Sequence, residues 1–123
     1  MAKDSELKLI PFYEEYMLYM IQVLIHLPRT EKFSIGTDFK QVMYGCLEDI
    51  MYINKLEDSK RLDYLNRVDA KLNTQRIMLR VMKKFQWIDN KKFNVAMEKI
   101  YEIGKILGGL IKYYAKNNKK SIW

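Results

Sequence analysis

An all-α fold, an antiparallel up-down-up-down four-helix bundle, is predicted by three features of the sequence. Apolar residues fill 49% of the 123 positions while only two prolines and five glycines interrupt them, a composition suited to long helices rather than many short strands. Apolar positions recur three and four residues apart over long stretches, the period of helices packed nearly parallel. Brief polar turns join the stretches and favour antiparallel neighbours. The chain is read as one domain over residues 1–123, with helices over about residues 11–27, 31–54, 59–86 and 90–116 and a basic, frayed tail over 117–123.

The most informative stretch runs from Lys60 to Phe85 without Gly or Pro. Its seam is Leu65, Val68, Leu72, Gln75, Leu79 and Met82, which points inward. At about 100° per residue, Lys60, Arg67 and Lys71 fall along one flank of that seam, and Arg76, Arg80, Lys83 and Lys84 along the other. From Lys60 to the end there are sixteen basic and five acidic residues, a net of +11. Residues 1–59 carry six basic and ten acidic side chains, a net of −4, and the halves sum to the formal +7. This division of sign predicts a basic face and an acidic face.

The first helix is expected to begin near Pro11, a residue that suits a first turn, and to end at Pro28, whose ring removes a donor. Ile10, Tyr13, Met17, Met20, Leu24 and Leu27 keep the bundle spacing, yet Phe12, Tyr16, Tyr19, Val23 and Ile25 make the other side apolar as well. A helix apolar on most sides calls for a second contact beyond its own bundle, with another subunit or a partner. Thr30 is the expected N-cap of the second helix, with Glu31 near its positive end. Its apolar face reads Phe33, Ile35, Phe39, Val42, Cys46, Ile50 and Ile53. Asp58 or Ser59 is the expected cap of the third helix, and Asp89 or Asn90 of the fourth. The last helix buries Phe93, Ala96, Met97, Ile100, Ile103, Leu107, Leu110, Ile111 and Tyr114. Gly104, Gly108 and Gly109 interrupt it at about 1 kcal/mol each relative to Ala, which calls for close approach of a neighbouring helix.

Catalysis has little to work with. There is one histidine, His26, and one cysteine, Cys46, whose place in the apolar pattern makes it a small core residue rather than a nucleophile. Glu14-Glu15 and Glu48-Asp49 are adjacent carboxylates that point to different sides of a helix. No Glu stands three residues before His26, so the di-iron pattern of bundle proteins is absent, and no metal or cofactor is expected. The run from Tyr16 to Leu27 is about half the length of a membrane span. With an acidic N-terminus and no disulfide pair, the chain is expected in the cytoplasm. A polyanion is the partner the charge favours: Lys and Arg neutralise phosphates, and Tyr64, Trp87, Tyr101, Tyr113, Tyr114 and Trp123 lie among them.

Two motifs resemble a known family. Leu27-Pro28-Arg29-Thr30-Glu31-Lys32-Phe33-Ser34-Ile35-Gly36 and Tyr101-Glu102-Ile103-Gly104-Lys105-Ile106-Leu107-Gly108-Gly109-Leu110-Ile111-Lys112 are similar to the two hallmark segments of Avd, the accessory variability proteins of diversity-generating retroelements. Arg76 to Lys84 resembles the basic third helix of that family, and the likeness spans about residues 9–116. The resemblance implies a non-enzymatic protomer that assembles into a pentameric barrel and partners an error-prone reverse transcriptase and its template RNA or cDNA. It makes Arg67, Lys71, Arg76, Arg80, Lys83, Lys84, Lys105, Lys112 and Lys116 the candidates for polymerase or nucleic-acid contact. Pro28, Arg29, Glu31, Phe33, Gly104, Gly108 and Gly109 become structural positions of the two motifs. Proteins encoded in intervening sequences of ribosomal RNA genes share the Pro-x-x-Glu-x-Phe turn, but Tyr52-Ile53-Asn54-Lys55 departs from their pattern. A general RNA-binding bundle and a purely structural oligomer are the alternatives.

Overall fold

In a computed structural model, whose described backbone covers residues 2–122 and whose described side chains cover residues 8–118, the expected helices form around one apolar core. They are α1 (Ala2–Ile25), a single turn α2 (Arg29–Lys32), α3 (Ile35–Ile53), α4 (Asp58–Lys84) and α5 (Asn90–Ile122). The four long helices run up-down-up-down, and each packs on two others in the cyclic order α1–α3–α4–α5, with α1 and α3 touching least. The described residues contain no strand.

The seam of α4 is buried at all six positions read from the sequence, Leu65, Val68, Leu72, Gln75, Leu79 and Met82. In α5, Ala96, Ile100, Ile103, Leu107, Leu110 and Tyr114 face the core, with Phe93, Met97 and Ile111 packed at its margin. The seam of α1 differs from the expected one. It is Leu9, Tyr13, Tyr16, Met20, Val23 and Leu24, continued by Leu27 in the turn that follows, so Tyr16 and Val23 take the inward places while Ile10 and Met17 lie at the edge. Hydrophobicity alone does not orient a helix that is apolar on every side; the acceptor waiting for a tyrosine hydroxyl does. Tyr16 donates to Gln75 Oε1 at 2.7 Å across the bundle, Tyr13 donates to the Met43 carbonyl at 2.7 Å, and Gln75 Nε2 donates to Tyr13 at 3.3 Å.

The helix ends also correct the sequence reading. Pro11 lies inside α1 rather than opening it, since one missing N–H removes a single bond from a long helix. The second helix does not run unbroken from Glu31: α2 closes after one turn and α3 restarts after Ser34. Thr30 is therefore within α2 and caps nothing; its hydroxyl donates to Glu31 Oε2 at 3.2 Å. Phe33, at the end of α2, is 78% exposed and leaves the expected apolar face. Asp58 is the first residue of α4, and Glu57, without a side-chain cap bond, precedes it. Asp89 does cap α5, accepting the Lys92 N–H at 2.8 Å. Helical backbone continues to Ile122 through the stretch expected to fray, and the side chains of residues 119–123 lie outside the described ones.

No buried side-chain nitrogen or oxygen among the described residues lacks a hydrogen-bond partner. Replacing the central amide should expose how much that matters. Gln75→Leu keeps the volume but orphans the Tyr16 hydroxyl, and we expect a loss of about 1–3 kcal/mol in urea unfolding. Tyr16→Phe added to it should recover most of that loss, because both polar partners are then gone.

Candidate nucleic-acid interface

The cations of α4 are sorted by helical position into three environments. Lys71 faces α3, where its Nζ lies 2.6 Å from Oδ2 of the buried Asp49, and Arg67 Nη2 lies 3.6 Å from the other oxygen. Lys71 reaches that acid along the bare backbone of Gly45, whose absent Cβ would stand 3.5 Å from Nζ. The Arg67 guanidinium also lies 4.7 Å from the centre of the Tyr64 ring. These two expected contact residues are thus tied to a carboxylate of the first half of the chain. Asp49 is far from them in sequence, so a counter-charge for this basic stretch is supplied by a neighbouring helix.

Arg76 and Lys83 lie on the side of α4 that meets α5. Arg76 Nη1 donates to Asn73 Oδ1, and a Cβ on Gly104 would stand 2.8 Å from Nη2, so the glycine leaves room for the guanidinium against α5. Lys83 Nζ sits 4.6 Å from the centre of the Phe93 ring. Arg80 and Lys84 are exposed, and no ion pair or hydrogen bond holds either side chain among the described residues. On α5, Lys105 is exposed and pairs with Glu102 at 3.5 Å, while Lys112 and Lys116 project into solvent. Arg76, Arg80, Lys83 and Lys84 therefore share the outer side of the α4/α5 pair, and Arg67 and Lys71 belong to the α3/α4 seam.

The motif residues divide similarly. Pro28 precedes α2 with φ −52° and ψ 145°, Arg29 is exposed, and Glu31 receives Ser34 Oγ at 3.1 Å, closing the turn. Gly104 answers to one side chain, the tip of Arg76, rather than to close approach of a neighbouring helix. Gly108 and Gly109 answer to neither: a Cβ on either would meet nothing within 4 Å. Sequence reasoning passed over Phe85, exposed at the end of α4 beside Lys84, and Lys91 at the start of α5. The adjacent Lys83-Lys84-Phe85-Gln86-Trp87 was the available signal.

This is an all-α bundle with a set of cations projecting from its α4/α5 side. A family model described as bAvd-like matches residues 8–114, and the chain belongs to the bAvd-like family, as an Avd-type accessory protein. No curated protein matches the chain. No helix among the described residues is long and apolar enough to cross a membrane.

Cys46 sits in the core with its Sγ 3.8 Å from the Val68 carbonyl, whereas His26 is exposed at the end of α1. Burial pushes the thiol up to about 11, helped by the charge of Asp49 and opposed by the Tyr13 hydrogen bond and Lys71. Burial likewise raises both Tyr13 and Tyr16 well above the ordinary phenol range. Each of these groups holds its proton more tightly in the folded than in the unfolded chain. Their contribution is complete below the unfolded pKa values and is lost as pH rises, so thermal stability should begin to fall above about pH 9. Over the same range iodoacetamide should modify Cys46 slowly in native protein and rapidly in urea; fast native alkylation at neutral pH would contradict an inert core thiol.

Proposed function

We propose that this chain is the non-enzymatic accessory protein of a diversity-generating retroelement. It acts in the cytoplasm and joins an error-prone reverse transcriptase to template RNA or cDNA through the α4/α5 side, in support of mutagenic retrohoming. One observation carries the reading. Between Asp69 and Asp89 the chain has five basic residues and no acid, and after Asp49 takes Lys71 the other four remain on the outer α4/α5 side. Such an array suits a phosphate backbone, which asks for charge rather than for a shaped pocket. Lys105, Lys112 and Lys116 extend the charge along α5.

Self-assembly belongs to the same reading, as a closed ring that the resemblance makes a pentamer. It is supported by large apolar side chains left in solvent on α1 and α3, among them Leu18, Ile25 and Met51, and by Phe33 between them. It is supported as well by Gly108 and Gly109, whose cost to the helix no contact within the protomer explains.

Two experiments test this. Reversing the charge of Arg76, Arg80, Lys83 and Lys84 together should lower RNA affinity at least about tenfold and flatten its logarithmic salt slope by about 3, with the helical signal unchanged. Lys71→Met should instead lower stability and leave affinity nearly intact; retained binding in the fourfold variant would remove the site. For the ring, Gly108→Ala and Gly109→Ala should each add about 1 kcal/mol to protomer stability. They should also shift the light-scattering mass downward, while a wild-type protein that is a stable monomer would rule the ring out.

A further inference from the structure

The turn from α4 to α5 holds aromatic surface in the midst of lysines. Helix α4 closes with Trp87 N–H on the Met82 carbonyl and Gln86 N–H on the Lys83 carbonyl, both at 2.9 Å. This closure requires a left-handed residue after the helix, a place usually given to glycine; here it is Gln86, with φ 59°. The reversal lays Phe85 flat against Trp87, with ring centres 4.8 Å apart and planes 15° from parallel. Trp87 is half-buried against the core and fixed, while Phe85 is 65% exposed.

The surroundings are cationic. Lys83, Lys84, Gln86, Ile88, Asp89 and Asn90 line a shallow hollow at this turn. Asp89 is its one acid, and one carboxylate oxygen is already engaged in capping α5. Lys84 and Lys91 have no side-chain partner among the described residues.

We propose that the Phe85–Trp87 stack is a platform for an unpaired base of a single-stranded nucleic acid, with Lys83, Lys84 and Lys91 against the flanking phosphates. The inference rests on the proposed nucleic-acid-binding function and assigns it a strand type and a contact point. A flat ring backed by a second, fixed ring presents the π-face that a base stacks on, whatever its sequence. With Lys83 and Lys84 lining the hollow at the same turn, it is unlike the core of a protein interface, where Lys is depleted. A duplex keeps its bases stacked inside and cannot use the platform. RNA and DNA single strands both can.

Fluorescence anisotropy with labelled, unstructured RNA and DNA strands of equal sequence, and with a duplex of equal length, tests this on the full chain. Phe85→Ala should weaken single-strand binding about 5- to 100-fold and change duplex binding by less than about twofold. Phe85→Tyr, which keeps the ring, should bind as the wild type does. Equal losses on RNA and DNA assign the platform to the base itself, and a loss on one alone names the strand it serves. Phe85 is outside the core, so the helical signal and melting should be unchanged in both variants. Unchanged single-strand affinity in Phe85→Ala would overturn the inference while leaving the function standing, as would failure of Phe85→Tyr or an equal loss on duplex. The same holds if Phe85→Ala loses capture of a reverse transcriptase but keeps single-strand affinity, since the ring is then a protein anchor. A wild-type protein that binds neither strand nor duplex removes the function and the platform together.

Discussion

The amide of Gln75, buried between two tyrosines, is the constraint on which the arrangement of helices depends. An amide away from water is costly unless its partners are present, so the chain folds in the one register that supplies them. Tyr16 of α1 reaches that amide across the bundle, and Tyr13, bonded to the same amide, also reaches the Met43 carbonyl of α3. Three helices are thereby held to a common axial position. A slide of α1 by one turn would keep its apolar contacts and break every one of these bonds. The fourth helix is clasped from the outside, by Arg61 donating to Tyr114 at 2.9 Å and by Lys99 pairing with Glu15 at 3.3 Å.

With the register set, the charges of α4 fall where their helical positions carry them. Those toward α3 find the buried Asp49, and one toward α5 finds the space that Gly104 leaves. The remainder project from the outer side. Two glycines on two different helices thus serve α4: Gly45 gives passage to Lys71 and Gly104 to Arg76. A lysine satisfied by a buried carboxylate stabilises the protomer and is poorly disposed to release it for a phosphate. The solvent-facing set keeps its charge available, and this is the basis for placing the proposed nucleic-acid side on α4 and α5.

The cyclic order α1–α3–α4–α5 puts the α1/α3 side opposite the α4/α5 side. The first carries exposed aliphatic and aromatic residues, the second the projecting cations and the stacked pair at the turn. In the proposed ring, contacts through the α1/α3 side and the Gly108-Gly109 stretch of α5 would leave the cations of α4 outward, several copies of one charged surface for a long polymer.

Periodicity by itself determined the all-α bundle, the six buried positions of α4 and the core side of α5, and cap propensity narrowed the α5 cap to Asp89 or Asn90, of which the structure uses Asp89. Each of these depends on interactions within one turn or on a single apolar stripe. The inward side of α1 was not legible, because Tyr16 and Met17 are both apolar and only a partner on a distant helix distinguishes them. The single turn α2 was equally hidden, since the break lies in the backbone of Ser34, at φ −119° and ψ −93°, and neither Phe33 nor Ser34 is a residue that marks a helix end in sequence. Among the candidate site residues, the sequence showed a dense row of cations on α4 but could not tell those with a counter-charge from those without. Only the tertiary structure decided that, by bringing Asp49 to Lys71 and Arg67 and leaving Arg80 and Lys84 in water. The physical reason is one of range: hydrophobic period is written along a helix, whereas the partner of a charge is written in whichever helix packs beside it.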